Sequence, residues 1–461
     1  MTADGGVPTS LGLLTDLYEL TMAQSYLREG MSSQATFSLF TRTLPPGRSY
    51  LVAAGLQDVL RYLEGLRFSP ADVDYLRSTG IFGGDFLDTL ASFRFTGEVW
   101  AIPEGRLVFP NEPLLEVTAP IPEAQIVETF VINQVHLQTM VATKAARCVW
   151  AAQGRRLVDF GLRRTHGADA GIKAARSSYL AGFDSTSNVL AGKRYGIPIA
   201  GTMAHSYVSS FPEEIAAFRA YARTFPDTST FLIDTYDTVA GARKAAAVAR
   251  EMEGAGHRLR AVRLDSGDLL ALSQDVRQVL DEAGLAYVEV FASGGLDEYQ
   301  IEALLAAGAS IDGFGVGTRM GVSADAPYMD IAYKLVKYGG RPVLKLSSGK
   351  VSLAGEKQVY RRSDPGGAFL EDTIALRGES RLVGTPAGEP LLEKVMEGGR
   401  LLDQTPALEE IRGRFRGEFA RLPERYKALR EAPQYPVGLS PGLAGLQAQM
   451  ERQAASPESV L

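Results

Sequence analysis

Between residues 157 and 318, short apolar runs alternate with stretches of helical periodicity. This rhythm constrains the fold more than any other feature of the 461-residue chain. The strand candidates are 157–162 (LVDFGL), 197–202 (IPIAGT), 230–235 (TFLIDT), 261–265 (AVRLD), 287–293 (YVEVFAS) and 311–317 (IDGFGVG). Their starts fall about 23 to 41 residues apart, the spacing of βα units that assemble a parallel sheet. Helical segments are expected between them at 239–252, 269–283 and 297–307. In the second, Leu269, Leu272, Val276 and Val279 recur at helical spacing, with Asp268 placed to cap the helix. Six units running in one direction fit either a closed barrel or a doubly wound open sheet.

The polar residues at the strand ends separate these options. Asp159 and Arg163, Thr202 and His205, Asp234 and Asp237, Arg263 with Asp265 and Ser266, Ser293, and Gly317 with Thr318 all fall where the strands finish. An open sheet gathers functional residues near one switch point. A barrel brings the carboxyl ends of all its strands to one mouth. Polar endings on every strand favour the barrel. Arg263 and Asp265, two apart, share one strand face while Val262 and Leu264 take the other. A charged pair facing inward is costly to bury, so it points to a site rather than to packing.

The flanks have a different character. Residues 1–138 mix a helix at 13–27 with strand-like pieces at 35–40 and 98–101. Residues 338–461 hold short strands (PVLKLSS, KQVYRR), a charged helical stretch near 406–430 and a Gly-, Ser-, Gln- and Pro-rich end expected to be a loosely held tail. The division expected is therefore a barrel at 139–337 carrying a second α/β domain built from both chain ends. A single cysteine, Cys148, excludes a disulfide framework and a multi-cysteine zinc site. The 48 Lys and Arg against 54 Asp and Glu give a net charge of −6 with no basic block, which argues against nucleic acid or an anionic membrane as a main partner. The opening MTADGGVPTS has no charged segment leading into an apolar run, and no apolar stretch reaches the ~18 residues of a membrane span, so a cytoplasmic protein is expected.

Several chemistries lose ground by their missing motifs. No G-x-x-x-x-G-K-[ST] occurs, Gly313, Gly315, Gly317 and Gly321 do not form G-x-G-x-x-G, and four histidines lack metal spacing. G-x-S-x-G is absent as well. What is left suits phosphate: the ends of the last two strands, SGG at 293–295 and GVGT at 315–318, combine approachable backbone N–H groups with the hydroxyls of Ser293 and Thr318. Two tight turns needing glycine are the plainer reading. Asp265 beside Ser266 and Asp268 suits a magnesium ion held with phosphates, although Asp268 reads equally as a helix cap. His205 taken alone is a structural histidine as readily as a functional one. Tyr18, Met22 and Tyr26 share one helix face, which by itself reads as core.

At this point the segments themselves carry a resemblance. TDLYELTMAQSYL (15–27), DFGLRRTHGADAGIKAARSSYLAGFDSTSNVLAGKRYGIPIAGTMAHSYV (159–208), IDTYDT (233–238), VRLDSGDL (262–269), FASGGLDEYQI (291–301), GFGVGTRMGVS (313–323) and YPVGLSP (435–441) resemble, in order and nearly end to end, the nicotinate phosphoribosyltransferase family. The resemblance implies a type II phosphoribosyltransferase, with an irregular TIM-like α/β barrel and a second α/β domain formed by both termini. It implies transfer from 5-phosphoribosyl 1-diphosphate to nicotinate, giving nicotinate mononucleotide and diphosphate, with Mg2+ present and ATP hydrolysed alongside. Such a glycosyltransferase is classed as a ligase and feeds NAD synthesis. By the same resemblance His205 is the histidine that ATP phosphorylates transiently, making the chain a phosphoprotein. Arg263 and Thr202 contact nicotinate, and Tyr18 and Phe160 sandwich its ring. Tyr18 reaches a neighbouring subunit, so a homodimer is implied. Thr318, Gly294, Gly295 and Gly317 belong to the phosphoribosyl loops, Arg163 helps neutralise phosphate, and Asp265 lies near the ribose and magnesium. A nicotinamide- or quinolinate-using relative is the nearest rival. Asn188 argues against nicotinamide, because the amide-using relative carries a carboxylate there. A non-catalytic pyridine-nucleotide sensor would have no need of His205 together with Arg263 and Asp265. A Schiff-base aldolase lacks its strand-end lysine.

Overall fold

A computed structural model of the chain describes residues 10–346, 352–379 and 388–455. The chain forms two compact units, one of Val141–Pro327 and one of Met1–Met140 with Tyr328–Leu461. The later boundary precedes residue 338 because the strand Ile331–Tyr338 pairs with Gln34–Thr41 and so joins the terminal unit.

The inner unit is built on a curled, six-stranded parallel sheet in the order Ser185–Thr186, Arg156–Asp159, Gly313–Val316, Glu289–Ala292, Ala261–Leu264, Thr230–Leu232. The helices Thr238–Gly254, Leu269–Glu282 and Glu298–Ala306 fall where the periodicity places them. Asp268 does cap its helix, accepting from the N–H groups of Leu270 and Ala271. The strand expected at 197–202 does not form. Pro198 has no N–H to donate, and the segment touches the sheet through one bridge, Thr186 to Ile199. The short strand Ser185–Thr186, too brief to show a period, takes the edge position instead. Alternation sorts the side chains: Val262, Leu264, Phe231, Val290 and Val276 are fully buried in one apolar cluster, leaving Arg263 and Asp265 to the sheet's other face.

The terminal unit holds a seven-stranded sheet in which Gln34–Thr41 lies between Ile331–Tyr338 and Pro113–Pro120, antiparallel to both. A four-stranded sheet includes Lys357–Ser363 and Phe369–Leu376. Of the strand expected from PVLKLSS only Pro342 is extended, within Arg341–Pro342, and its last two residues lie outside those described. Most of the expected loose tail is instead a helix, Pro441–Ala455, that buries Leu443 and Gln447, and residues 456–461 lie outside those described. Arg361, 1% exposed, sits beneath these strands with Nη1 2.6 Å from Glu418 and Nη2 2.6 Å from Asp372. Burial and the adjacent Asp372 carboxyl push Glu112 upward, against the opposing charge of Arg361. No helix among the described residues is long and apolar enough to cross a membrane.

Candidate active site

At the carboxyl ends of the inner strands the polar residues converge on one guanidinium. Arg263 Nε donates to Ser293 Oγ at 2.8 Å, Nη1 to Thr202 Oγ1 at 2.7 Å, and Nη2 to Asp265 Oδ1 at 2.7 Å. A longer contact of 3.4 Å joins Nη1 to the Met203 carbonyl. The guanidinium carbon lies 5.5 Å from the centre of the Phe160 ring, a cation–π arrangement. An arginine so held is preorganised: its fork is aimed before any ligand arrives.

Asp265 is the second hub. Its Oδ1 also accepts from Ser293 at 2.5 Å, and its Oδ2 lies 3.8 Å from His205 Nε2. Burial alone would raise this carboxyl, but the hydrogen bonds from Ser293 and Arg263, with the charge of Arg263 and nearby His205, hold it below the ordinary carboxylate value. His205 opens the short helix His205–Ser209, and its Nδ1 is 3.1 Å from Thr235 Oγ1. When Nδ1 donates to Thr235, the Nε2 lone pair is left facing the Asp265 side.

Asp234, named in the sequence only as a strand ending, braces this group from behind. Its Oδ2 accepts from the Asp265 N–H at 2.9 Å and the Ser266 hydroxyl at 2.6 Å, while its buried Oδ1 has no hydrogen-bond partner. No group of three or more His, Cys, Asp or Glu among the described residues is arranged to hold a metal. Two neighbouring carboxylates with one free oxygen nevertheless suit a magnesium ion that arrives on a diphosphate and keeps most of its own ligands.

Beside this hub lie the glycine loops. Gly294, at φ +95°, would place a Cβ 2.0 Å from the Asp265 carbonyl oxygen, so only glycine fits; Gly295 follows at φ +67°. Gly317 precedes the short turn that begins at Thr318. Thr318 Oγ1 is reached by Arg164, at 3.4 Å, and both Arg163 and Arg164 are exposed on this turn. Ser293 is 2% exposed and its hydroxyl serves Arg263 and Asp265, so it acts within the hub rather than as an open phosphate contact. Asn188 is likewise engaged at both ends: Oδ1 accepts from the Ala191 N–H and Nδ2 donates to the Gly171 carbonyl. It caps the helix Val189–Tyr195 and is 1% exposed, so its side chain is not offered to a ligand.

Thus the inner unit brings together Phe160, Thr202, His205, Arg263, Asp265, Ser293 and the glycines. Tyr18 belongs to the terminal unit, on the first turn of the helix Leu17–Arg28, and is 44% exposed. Burial and the Glu128 carboxylate push its phenol upward. A cavity of about 1030 Å³ opens against the inner sheet, its lining including Phe160, Gly201, Thr202 and Phe291.

The family models and the curated relatives that match this chain are those of nicotinate phosphoribosyltransferase. Residues 13–136 match the model of the nicotinate phosphoribosyltransferase N-terminal domain, 155–362 that of the nicotinate phosphoribosyltransferase family, and 384–447 that of the C-terminal domain. A nicotinate phosphoribosyltransferase of Mycobacterium tuberculosis is 53% identical over 94% of this chain and 92% of its own length. One from Bacillus subtilis is 40% identical, covering 94% and 93%. Among solved structures, human nicotinic acid phosphoribosyltransferase matches with a TM-score of 0.85 at 33% identity, over 95% of this chain and 99% of the other. A nicotinate-nucleotide pyrophosphorylase from Pyrococcus furiosus matches with a TM-score of 0.74 at 26% identity, over 91% and 99%.

Proposed function

This chain belongs to the nicotinate phosphoribosyltransferase family, and on that premise we propose how its residues divide the work of an ATP-coupled transfer. The reaction moves the phosphoribosyl group of 5-phosphoribosyl 1-diphosphate onto nicotinate, a salvage step toward NAD. The pyridine nitrogen attacks C1 of the ribose as the bond from C1 to the diphosphate oxygen breaks. The nitrogen's lone pair forms the new bond and the old bond's electrons leave on diphosphate. No proton need be abstracted, so the protein's contribution is positioning and charge stabilisation. The arginine held by Thr202, Ser293 and Asp265 at the centre of the site supports this reading.

The single observation that carries the reading is the guanidinium of Arg263, fixed by Thr202, Ser293 and Asp265 above the face of Phe160. A planar aromatic acid fits that pair: its carboxylate takes the guanidinium and its ring takes the phenyl face. Tyr18, contributed by a second copy, would close the other face of the ring. Half-exposed Tyr18, together with exposed Val189 and Ile199 on the inner unit, supports a homodimer. Gly294, Gly295, Gly317 and Thr318 hold the phosphoribosyl group, with Arg163 and Arg164 as cations nearby. Magnesium, brought with the diphosphate, would take Asp265 and the free oxygen of Asp234 and offset phosphate charge. A cytoplasmic location accords with Cys148, which is buried and unpaired.

For ATP coupling, His205 Nε2 attacks the γ-phosphorus, ADP leaves with the electrons of the broken P–O bond, and water later cleaves the phosphohistidine to phosphate. Asp265, held ionised, stands beside that nitrogen. The deciding assay is nicotinate mononucleotide formation with and without magnesium ATP. Product that rises with ATP, with matching ADP release, is expected. Product indifferent to ATP would discard the phosphohistidine step, and no product would discard the transferase reading.

A further inference from the structure

We infer that Gly315 is a specificity-determining residue for the pyridine ring: the space of its missing side chain seats the Phe160 ring and so fixes how far that ring protrudes into the cavity. The inference rests on the reading of Phe160 and Arg263 as nicotinate contacts.

Alternation along Gly313–Val316 turns Phe314 and Val316, both fully buried, to one side of the sheet. Positions 313, 315 and 317 turn to the other, and all three are glycine. None has a positive φ, and at 313 and 315, within the strand, the backbone does not demand glycine. The neighbours do. A Cβ at 315 would lie 2.4 Å from Phe160 Cε2, 2.5 Å from its Cδ2 and 3.1 Å from Phe291 Cε1. A Cβ at 313 would lie 2.9 Å from Phe291 Cδ2. Two phenyl rings from adjacent strands therefore occupy the volume that side chains on this strand would fill.

Phe160 cannot yield through its backbone. Its N–H donates to the Val316 carbonyl at 2.9 Å, and a Cβ at Gly317 would already be 3.0 Å from its carbonyl oxygen. Asp159, 1% exposed, ties the flanking backbone down by accepting from the Gly161 N–H and the Thr186 hydroxyl, each at 2.7 Å. A methyl group at 315 must be met chiefly by the Phe160 ring, the 3.1 Å approach to Phe291 being the lesser contact. Carbon atoms rest in contact at ~3.5 Å, so the ring must shift by roughly 1 Å, away from the sheet and into the cavity it lines. Displacements of that size in a positioned site cost up to about 100-fold in rate or affinity.

The test is a cycle of Gly315→Ala, Phe160→Leu and the double variant, with Arg263→Lys alongside, read as KM for nicotinate, KM for 5-phosphoribosyl 1-diphosphate, and Tm. Expected for Gly315→Ala is a nicotinate KM raised at least about 10-fold, with the other substrate's KM within about 2-fold. In the Phe160→Leu background, where the Phe160 ring is gone and only the 3.1 Å approach to Phe291 remains, Gly315→Ala should add at most about 2-fold. An equal effect in both backgrounds would overturn the inference, because the ring would not be the mediator. A nicotinate KM unmoved by Gly315→Ala, yet raised by Phe160→Leu and Arg263→Lys, would overturn it while leaving the site reading intact. If those two variants also left KM unchanged, the site reading itself would fall. Should Gly315→Ala not fold, the double variant must fold and match Phe160→Leu; its failure would likewise overturn the inference.

Discussion

Removing Arg263 tests the site at its hub, and the size of the effect can be worked from its hydrogen bonds. A guanidinium has five N–H donors. Ser293, Thr202, Asp265 and, at longer range, the Met203 carbonyl account for four of them. One donor is left to meet a nicotinate carboxylate. A single hydrogen bond to a charged group contributes about 1.5–3 kcal/mol. Arg263→Ala should therefore raise the nicotinate KM by about 10- to 150-fold, at 1.4 kcal/mol per decade. Arg263→Lys should recover little, since an ammonium cannot span the same acceptors. Asp265 reports independently. It loses the donor and charge that help hold its carboxyl low, so its folded value moves up and the acid limb of the kcat/KM profile should shift to higher pH in Arg263→Ala. Steady-state kinetics across pH, with purified protein and both substrates varied, supply both readouts. A nicotinate KM within about 2-fold of the parent would show that the carboxylate is read elsewhere, and the argument from the hub would fail.

Five further outcomes are expected. His205→Ala should abolish ATP stimulation and ADP release while slow, ATP-independent transfer persists; ATP stimulation of the variant would assign the phosphoryl group elsewhere. Nicotinate should be preferred to nicotinamide by at least about 100-fold in kcat/KM, because the amide leaves a buried cation mispaired, and comparable rates would contradict this. Asn188→Ala should leave that ratio unchanged. Glu19 is fully buried, and burial outweighs its bonds from Thr129 and Thr15 to push its carboxyl up to about 7. A raised folded value contributes stability at low pH that is lost as pH rises through about 7, so Tm should fall between about pH 5.5 and pH 8 in the parent and less in Glu19→Gln. Equal slopes would count against it. Arg361→Ala strands Asp372 and weakens the pairing of Glu418, and should cost about 3–5 kcal/mol in denaturant unfolding without changing either KM in the folded protein.

What the sequence disclosed and what it hid have physical causes. Five of six inner strands and their helices are legible because burial on one face imposes a period on the residues themselves. Arg263 and Asp265 stand out because two charges on the inward side of a strand have no packing explanation. The sixth strand misled because IPIAGT is apolar enough to read as extended, yet Pro198 removes the donor that pairing requires. A polar side chain's composition does not reveal which groups it will meet: Asn188 caps a helix and Ser293 bridges Arg263 and Asp265. Arg164 rather than Arg163 meets Thr318, a choice set by one step around a tight turn. The role of the glycines at 313 and 315 was invisible for a different reason: a missing side chain declares nothing about which neighbour will fill its place.

The pairing of Gln34–Thr41 with Ile331–Tyr338 also dictates when this chain can fold. Ala35 meets Tyr338 in that ladder, so roughly 300 residues must be synthesised before one edge of the strand finds its partner. Its other edge can pair with Pro113–Pro120 much sooner. At a translation rate of about 5–20 residues per second, a nascent chain holds an unpaired strand edge, carrying Phe37, Leu39 and Phe40, for about 10 seconds or longer. Such an edge is a template for other chains. The terminal unit thus depends on a late-arriving strand, and truncations before residue 338 should aggregate rather than yield a folded amino-terminal fragment.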